Sequence, residues 1–331
     1  MMALETVSAQ WLMLQPLKEP NWIVEDFLPA GLHLLSGAPK VGKSWLVLDL
    51  ALKVSKGEPF WGLATHKCSV LYLALEDVYT RIQQRLWRIT DTAEDNLHFA
   101  IASQTLSGGL VEQLEAFMDK HPDTELVILD TLQMVRTQSR ESAYAADYGD
   151  VGALKRFADA HGIGMLIIHH TRKMGDSDVF NTVSGTTGIT GSADSTLVLS
   201  KGSRCDNNAT LSIAGRDVEF QELKIRFADC RWELVEKTSK EELEERNVPD
   251  AVLRVLDFMA TRPCDWQGTT TKLIEEAGID GVSVAVLGKY LAQHSPFLAE
   301  RGISYDRRHV REGNIITLAK LEGERGEGNE G

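Results

Sequence analysis

An eight-residue segment, Gly37-Ala-Pro-Lys-Val-Gly-Lys-Ser44, constrains the fold of this chain more than any other. Its spacing is that of a P-loop, in which backbone N–H groups surround phosphate, a lysine reaches the β- and γ-phosphates and a hydroxyl binds Mg²⁺. Such a loop joins a strand to a helix. The flanking sequence fits, because an apolar run ends at Ser36 and helical spacing of apolar residues begins at Trp45 and stops at Gly57. The alternative is a chance glycine-rich loop.

The motif predicts ATP and Mg²⁺ as cofactors. The predicted cofactor-binding residues are Gly37, Ala38, Pro39, Lys40, Val41, Gly42, Lys43, Ser44 and Trp45, with Lys43 also catalytic and Ser44 also a metal ligand.

Strand-like and helix-like patterns alternate from residue 31 to residue 193. Strands are predicted at 31–36, 70–75, 97–102, 126–129 and 163–168, and helices at 45–56, 77–89, 110–120 and 144–161. The alternation indicates an α/β core with a mainly parallel sheet. Four short strands follow at 195–200, 209–214, 221–227 and 232–235, and we expect them to be antiparallel. The core therefore carries a β-rich extension.

Shifts in composition divide the chain. We predict an N-terminal arm at 1–30, a core domain at 31–236, an acidic linker at 237–247, a small domain at 248–320 and a disordered tail at 321–331. The apolar residues of the arm indicate that it packs against the domain or a neighbouring subunit. In the small domain, helices predicted at 248–262, 269–277 and 283–293 precede a hairpin within 302–318. Three helices and a hairpin follow the winged-helix plan of an α+β module.

Composition excludes some classes of protein. No apolar run reaches bilayer length and no signal pattern is present, so we expect a cytoplasmic protein without a membrane partner. Four scattered cysteines lack metal-ligand spacing, which indicates reduced thiols. The formal net charge of -13 argues against a uniformly basic surface, but nucleic-acid binding depends on local charge within a groove.

Two predicted strands end in carboxylates. Asp130 follows the apolar run 126–129 at the sheet edge where ligands bind in parallel sheets, and we predict that it helps to hold Mg²⁺. Its alternative role is to cap the next turn. Glu76 is the candidate catalytic base and Asp77 the cap of the following helix, although these two roles could be exchanged.

The strand ending at Ile168 leads into His169 and His170. Adjacent strand residues point to opposite faces, so the pair is poorly placed to share one metal ion. We favour a polar relay that senses the γ-phosphate, with His170 as the catalytic candidate. A metal site and a purely structural role are the alternatives.

The chain resembles the RecA/DnaB-type ATPases in four motifs taken together. These motifs are the P-loop, Leu75-Glu76-Asp77, Asp130-Thr131 and the segment His-His-Thr-Arg-Lys at 169–173. Within this class of ATPases, residues 20–235 are most similar to the RepA-like hexameric helicases, which are also grouped with AAA-type ATPases. The resemblance implies a RecA-like core and a homo-oligomeric ring, expected to be a hexamer, with ATP between subunits. It also implies that Glu76 activates water, that Asp130 helps to hold magnesium and that His170 couples the nucleotide to DNA loops.

Such sites take an arginine finger from the neighbouring subunit. The resemblance assigns this catalytic role to Arg216, with Lys224 and Arg226 as alternatives. Arg216 could equally form a surface salt bridge.

Two segments, 133–143 and 173–192, lack periodicity, and long loops of this kind are usually functional or mobile. In the resembled family the corresponding loops grip single-stranded DNA, and plain flexibility is the alternative. The candidate DNA contacts are Gly185, Thr186, Gly188, Gly191 and Ser192 through backbone and hydroxyl groups, and Arg136, Arg140, Arg172 and Lys173 through charge.

Charge in the small domain is nearly balanced, with eight Lys and Arg against nine Asp and Glu over 250–318. Its cationic candidates are Lys289 on the third helix and Arg307, Arg308, His309 and Arg311 at the hairpin. Three interpretations of this domain remain open: that it contacts nucleic acid, that it docks a protein, or that it does neither.

For the whole chain we expect a DNA-dependent ATPase, a ring-forming helicase acting on single-stranded DNA. The alternatives are a RecA-fold ATPase that remodels protein–DNA complexes without unwinding, and a DNA-binding regulator whose P-loop only senses nucleotide.

Overall fold

A computed structural model of the chain describes residues 6–16, 21–136, 143–172, 176, 178–185, 187–203, 205–239, 242, 248–310 and 313–321. The chain forms two compact units, Met1–Lys240 and Glu241–Gly331. Within the described ranges, no helix combines the length and the apolar character that crossing a bilayer requires.

The first unit contains a nine-stranded sheet and a two-stranded one. Its helices are α1 (Ala9–Met13), α2 (Lys43–Lys56), α3 (Tyr79–Ile89), α4 (Leu110–Met118), α5 (Leu132–Val135), α6 (Ala143–His161) and α7 (Thr187–Ser192). Its strands are β1 (Trp22–Val24), β2 (Leu28–Pro29), β3 (Gly31–Gly37), β4 (Ser69–Ala74), β5 (Leu97–Ala100), β6 (Thr124–Asp130), β7 (Gly164–His170), β8 (Ser195–Ser200), β9 (Asn208–Gly215), β10 (Gln221–Ala228) and β11 (Arg231–Ser239).

The large sheet has the order β11-β10-β9-β8-β3-β7-β6-β4-β5. The strands from β8 to β5 in that order are parallel, and β9, β10 and β11 continue the sheet in antiparallel fashion. The four late strands pair antiparallel with one another, as expected, and β8 in addition pairs in parallel with β3. The mainly parallel sheet of a RecA-like P-loop core is confirmed.

Alternate residues of each central strand enter different cores, because neighbouring side chains of a strand point to opposite faces. In β6, Leu126 and Ile128 pack with α2, whereas Val127 and Leu129 pack with α4 and α6. Such strands are buried on both faces and read as continuous apolar runs. Helices therefore pack on both faces of the large sheet and fix the positions of its strand ends.

Two findings concern the predicted boundaries. Ile23, Val24, Phe27 and Leu28 of the predicted N-terminal arm lie in the core of the first unit, as expected for an arm packed against the domain, while the α1 residue Trp11 is exposed. The predicted linker at 237–247 begins inside β11. Its residues 240, 241 and 243–247 lie outside the described part of the chain, as do 322–331 of the predicted tail.

The segment from 173 to 192, predicted without regular structure, contains two short helices. A 3-10 turn spans Val179–Thr182, and α7 follows. Glycine and threonine dominate α7, so its sequence carries no helical propensity signal. Ile189 instead anchors α7, because its side chain is fully buried in the core between the sheet and α6, and α7 packs against α6.

The second unit contains α8 (Asp250–Ala260), β12 (Trp266–Thr269), α9 (Thr270–Glu276), α10 (Val284–Gln293), α11 (Ser295–Glu300), β13 (Ile303–Val310) and β14 (Gly313–Lys320). Its sheet has the order β12-β14-β13. Neither β12 nor α11 was predicted, because both are too short to show periodicity. Buried Val252, Leu273, Leu287 and Leu318 join the helices to the sheet in a separate core.

Candidate nucleotide-binding site

The loop between β3 and α2 brings the predicted phosphate-binding residues to the carboxyl edge of the sheet. Gly37 ends β3, and α2 begins at Lys43. Gly42 has φ +108, and a β-carbon there would lie 2.8 Å from the Trp232 ring, so both conformation and space require glycine. The indole Nε1 of Trp232 donates to the Gly42 carbonyl at 3.1 Å, which ties the loop to β11.

Asp130 lies beside the P-loop, because β6 ends at the same sheet edge as β3. The Ser44 hydroxyl donates to Asp130 Oδ2 at 3.1 Å, and the buried Tyr72 hydroxyl donates to the same oxygen at 2.9 Å. Burial raises the pKa of the Asp130 carboxyl, and the hydrogen bonds from Tyr72 and Ser44 oppose that rise. Tyr72 was not predicted, since a tyrosine in an apolar strand has the sequence signature of a core residue.

The Lys43 side chain is buried, 6 % exposed, and its ammonium donates to the carbonyls of Gly37 at 2.7 Å and Ala38 at 3.2 Å. Burial lowers the pKa of Lys43 to about 8, against the opposing effect of Asp130 and Glu76. A buried cation between two carboxylates and a glycine-rich loop is suited to binding polyphosphate.

Glu76 lies two residues past β4, exposed at the same edge, and its Oε1 accepts a 2.8 Å hydrogen bond from the Thr131 hydroxyl. Thr131 directly follows Asp130 in the chain. The residue that anchors the Glu76 carboxylate is therefore the neighbour of the second carboxylate, Asp130. Asp77 does not cap α3, because Val78 occupies the N-cap position without a side-chain hydrogen bond. Instead Asp77 pairs with Arg81 at 3.0 Å and Arg85 at 2.6 Å.

The convergence of one hydroxyl and one carboxylate, Ser44 and Asp130, fits Mg²⁺. Magnesium at phosphate sites takes one or two protein oxygens and completes its shell with water and phosphate. Among the described residues, no group of three or more His, Cys, Asp or Glu could hold a metal ion by itself.

His170 ends β7 directly beside Gly37, its partner in the parallel register. Its buried Nδ1 has no hydrogen-bond partner among the described residues. His169 is buried, its Nε2 lies 3.0 Å from the Ser184 carbonyl oxygen, and burial lowers its pKa. The two ring centroids are 6.5 Å apart, which does not suit a shared metal ion.

Arg216 lies at the sheet edge opposite the P-loop. It follows Gly215, which pairs with Ser195 at the start of β8, and it forms a 3.5 Å ion pair with Asp194 while its side chain stays 62 % exposed. Arg216 therefore cannot reach the P-loop of its own chain. The alternatives Lys224 and Arg226 pair with Glu236 at 2.7 Å and Glu233 at 2.9 Å on the exposed β10–β11 surface.

Several predicted DNA-loop contacts are engaged within the chain. Arg136 pairs with Asp147 and Asp150 of α6, so its charge is neutralised. Gly188 is buried, and the buried Ser192 hydroxyl donates to its carbonyl at 2.8 Å. For Gly188 and Ser192 the expected open phosphate contact is therefore wrong. Gly185, Gly191 and Arg172 are exposed, whereas Arg140, Lys173, Thr186 and Arg311 lie outside the described residues.

An aromatic cluster flanks the P-loop helix. Trp45 contacts Phe227 edge-on at 6.1 Å between ring centroids, and Phe227 contacts Trp232 at 5.1 Å. The Arg85 guanidinium lies 5.6 Å from the centre of the Trp45 ring. Contacts between residues so distant in sequence leave no local pattern, so only Trp45 of this cluster could be predicted to lie at the site.

Comparison with solved structures finds the same fold. One structure, described as an ATPase domain, has 14% identity and a TM-score of 0.51, covering 62% of this chain and 85% of that one. A structure of a DnaB-like replicative helicase and its interactions with primase has 14% identity and a TM-score of 0.53 over 63% of this chain. This chain spans 58% of that second protein. At such identity the likeness extends to the fold alone.

Sequence comparison identifies the family. No match is found among curated proteins. The family model described as "AAA domain" matches residues 2–176, more than half of the 331 residues, and this range includes the P-loop, Glu76, Asp130 and His170. The chain belongs to the AAA domain family.

Proposed function

We propose that this protein is a magnesium-dependent ATPase, and that the bond between Ser44 and Asp130 marks its metal site. The observation that carries the proposal is the convergence, at one sheet edge, of the buried Lys43 ammonium, the Ser44–Asp130 pair at 3.1 Å and the Thr131-anchored Glu76. These are the parts that phosphoryl transfer needs: a phosphate cradle, a metal-holding carboxylate and a group that orients water.

Each residue has a distinct role in the proposed reaction. Backbone N–H groups of 37–44, except at Pro39, and the Lys43 ammonium would bind the phosphates, and Ser44 and Asp130 would hold Mg²⁺, which would neutralise charge on the phosphate oxygens. Glu76 orients the attacking water and accepts its proton, with Thr131 fixing the carboxylate. His170 lies beside Gly37, its Nδ1 has no hydrogen-bond partner within the described part of the chain, and it would contact the γ-phosphate side of the loop.

The working assembly in this proposal is a homo-oligomeric ring, a hexamer of the RepA-like helicase type that acts on single-stranded DNA. The fold shared with a DnaB-like replicative helicase supports this assignment. In a ring, Arg216, which lies at the sheet edge away from its own P-loop, would act in a neighbour's site. The second unit, with its helices and three-stranded sheet, is proposed to be a winged-helix-like module.

Two measurements test the proposal. Molecular mass in solution, with a non-hydrolysable ATP analogue and with or without single-stranded DNA, should rise to that of a closed ring. A strand-displacement assay then separates a helicase from an ATPase that remodels protein–DNA complexes. A chain that stays monomeric under every condition, with ATP turnover unaffected by DNA, would contradict the ring and the DNA dependence.

A further inference from the structure

The side chain of Trp232 contacts the P-loop at a single glycine, Gly42. Its Nε1 donates to the Gly42 carbonyl at 3.1 Å, and its ring lies so close that a β-carbon on Gly42 would be 2.8 Å away. Trp232 is 2 % exposed and lies near the start of β11, 190 residues beyond Gly42 in the chain. The P-loop is therefore supported by a residue from outside its own strand–loop–helix segment.

The Trp232 hydrogen bond acts on the peptide unit that opens α2. The Gly42 carbonyl also accepts from the backbone N–H groups of Trp45 and Leu46, both at 3.2 Å, so it points along the helix. The C=O and N–H groups of a planar trans peptide point in opposite directions, and the Lys43 N–H therefore points out of the helix N-terminus. The first N–H groups of a helix have no partner within it and are the donors that bind phosphate. A donor that fixes the Gly42 carbonyl thus also aims the Lys43 N–H.

The backbone of the P-loop needs such a support. Gly37 and Gly42 lack a β-carbon, so each has many conformations to lose when the loop becomes ordered. Lys40 has φ +64, in the left-handed region that is uncommon for residues with a side chain. A loop that became ordered only on binding would lower the affinity for its ligand by the free energy of ordering. A loop that is already held in place avoids that loss.

Trp232 is itself held on several sides. The Lys201 ammonium lies 4.9 Å from the centre of its indole ring, and the Nε1 of Trp61 donates to its backbone carbonyl at 2.7 Å. The preceding residue, Arg231, forms a 3.6 Å ion pair with Asp49 on α2. The indole is therefore a rigid support for the P-loop, fixed through its ring, its backbone and its neighbour in the chain.

We propose that Trp232 is a positioning residue that pre-organises the P-loop, so that strand β11 controls the affinity of the site for nucleotide phosphate. Trp232 contacts no reacting group in this assignment and acts through the Gly42–Lys43 peptide. The inference rests on the proposed ATPase function and adds the element that regulates its phosphate cradle. That element lies at one end of the nine-stranded sheet.

The experiment compares the removal of two indole N–H groups in the full chain. Trp232→Phe removes the donor to the Gly42 carbonyl, and Trp61→Phe is the matched control, because it removes the donor to the Trp232 carbonyl instead. A third variant, Trp232→benzothienylalanine, keeps the bicyclic shape and carries sulfur in place of the N–H group. It separates the hydrogen bond from the packing of the ring, and it decides the outcome if Trp232→Phe does not fold.

Two measurements are made on each variant. Calorimetry with ADP and Mg²⁺, and separately with pyrophosphate and Mg²⁺, gives the affinity without requiring hydrolysis. Steady-state ATP turnover gives kcat and KM. Urea unfolding verifies that each variant is folded under the conditions of these assays.

We expect both Trp232 variants to weaken binding of ADP and of pyrophosphate by about 3- to 10-fold, the usual effect of one lost hydrogen bond. The two ligands share only their phosphates, so equal factors place the effect at the phosphate cradle. KM should rise while kcat stays within about twofold of wild type, because the Lys43 N–H binds substrate and transition state alike. Trp61→Phe should match wild type in affinity and turnover.

The results that overturn this proposal can be told apart from failure of the ATPase assignment. If wild type binds ADP and pyrophosphate and both Trp232 variants bind them equally well, the positioning role is wrong and the ATPase assignment stands. A fall in kcat with unchanged affinity would likewise exclude the positioning role. If wild type binds neither ligand, both proposals are wrong.

Discussion

The Tyr72 hydroxyl donates a 2.9 Å hydrogen bond to Oδ2 of Asp130, the same oxygen that accepts from Ser44. Tyr72 is buried on β4, and Asp130 ends the neighbouring strand β6. A fixed donor of this kind orients a metal-holding carboxylate and helps to keep it ionised. The relationship makes Tyr72 a positioning residue for the proposed Mg²⁺ site.

Replacing Tyr72 by Phe should therefore weaken Mg²⁺ binding while preserving the core. We expect the Mg²⁺ concentration for half-maximal ATP turnover to rise about 10- to 100-fold, the usual cost of losing such a supporting bond. The lost bond is one that lowers the pKa of Asp130, so the acid limb of the pH–activity profile should move to higher pH. An unchanged Mg²⁺ requirement together with an unchanged acid limb would reduce Tyr72 to a packing role.

The lowered pKa of Lys43, about 8, predicts proton uptake when nucleotide binds. Phosphate beside the ammonium stabilises its charged form, so the pKa rises and the site takes up a proton. Uptake should grow as the pH increases from about 7 to about 9, because more of the free protein is then unprotonated. Calorimetry of ADP binding in buffers of different ionisation enthalpy measures this, and a proton count of zero throughout would contradict it.

The burial of His33 predicts that the free energy of unfolding falls at acid pH. Burial lowers the pKa of His33 from 6.5 to about 4, although its Nε2 lies 2.8 Å from the Pro29 carbonyl oxygen. The unfolded chain binds the proton more readily, so the contribution of His33 is complete above pH 6.5 and is lost as pH falls towards 4. The loss amounts to about 3 kcal/mol of unfolding free energy.

Urea unfolding across this pH range checks the prediction. His33→Gln should flatten the dependence of unfolding free energy on pH, whereas His66→Gln, at an exposed position, should retain the wild-type slope. Parallel curves for wild type and His33→Gln would exclude His33 as the source.

The arginine-finger assignment predicts complementation between inactive variants. Arg216→Ala should lower kcat about 10³-fold and leave ATP affinity largely intact, because a finger stabilises charge in the transition state. Mixing it with Lys43→Ala should restore measurable turnover, since one variant supplies an intact P-loop and the other an intact Arg216. Full activity of Arg216→Ala alone would transfer the role to Lys224 or Arg226, which the same mixing assay tests.

The α/β core was predictable because its strands are buried on both faces and its P-loop has a fixed strand–loop–helix context. The predicted end of the P-loop helix is confirmed, because Gly57 directly follows α2 and adopts φ +69. The parallel pairing of β8 was not predictable, since an isolated strand sequence such as 195–200 carries no information on its neighbour. Sequence likewise could not reveal α7, which is held by the packing of Ile189 rather than by propensity.

Within the candidate site, the motif residues could be chosen from sequence but their supports could not. The positions of Lys43, Ser44 and Asp130 follow from spacing and strand ends. Tyr72 and Thr131 act through hydrogen bonds to residues more than fifty positions away, and such contacts leave no local pattern. The misassigned cap at Asp77 has a related cause, because Arg85 lies beyond the first turn that capping rules consider.

One paired measurement of phosphate release tests whether this chain hydrolyses ATP with Glu76 as the base. With ATP, Mg²⁺ and single-stranded DNA, wild type should turn over, and Glu76→Gln should be slower by about 100-fold or more while still binding ATP. Asp77→Asn is the matched control and should keep its turnover, because Asp77 is committed to Arg81 and Arg85. Equal rates for wild type and Glu76→Gln, or no hydrolysis by wild type, would contradict the account.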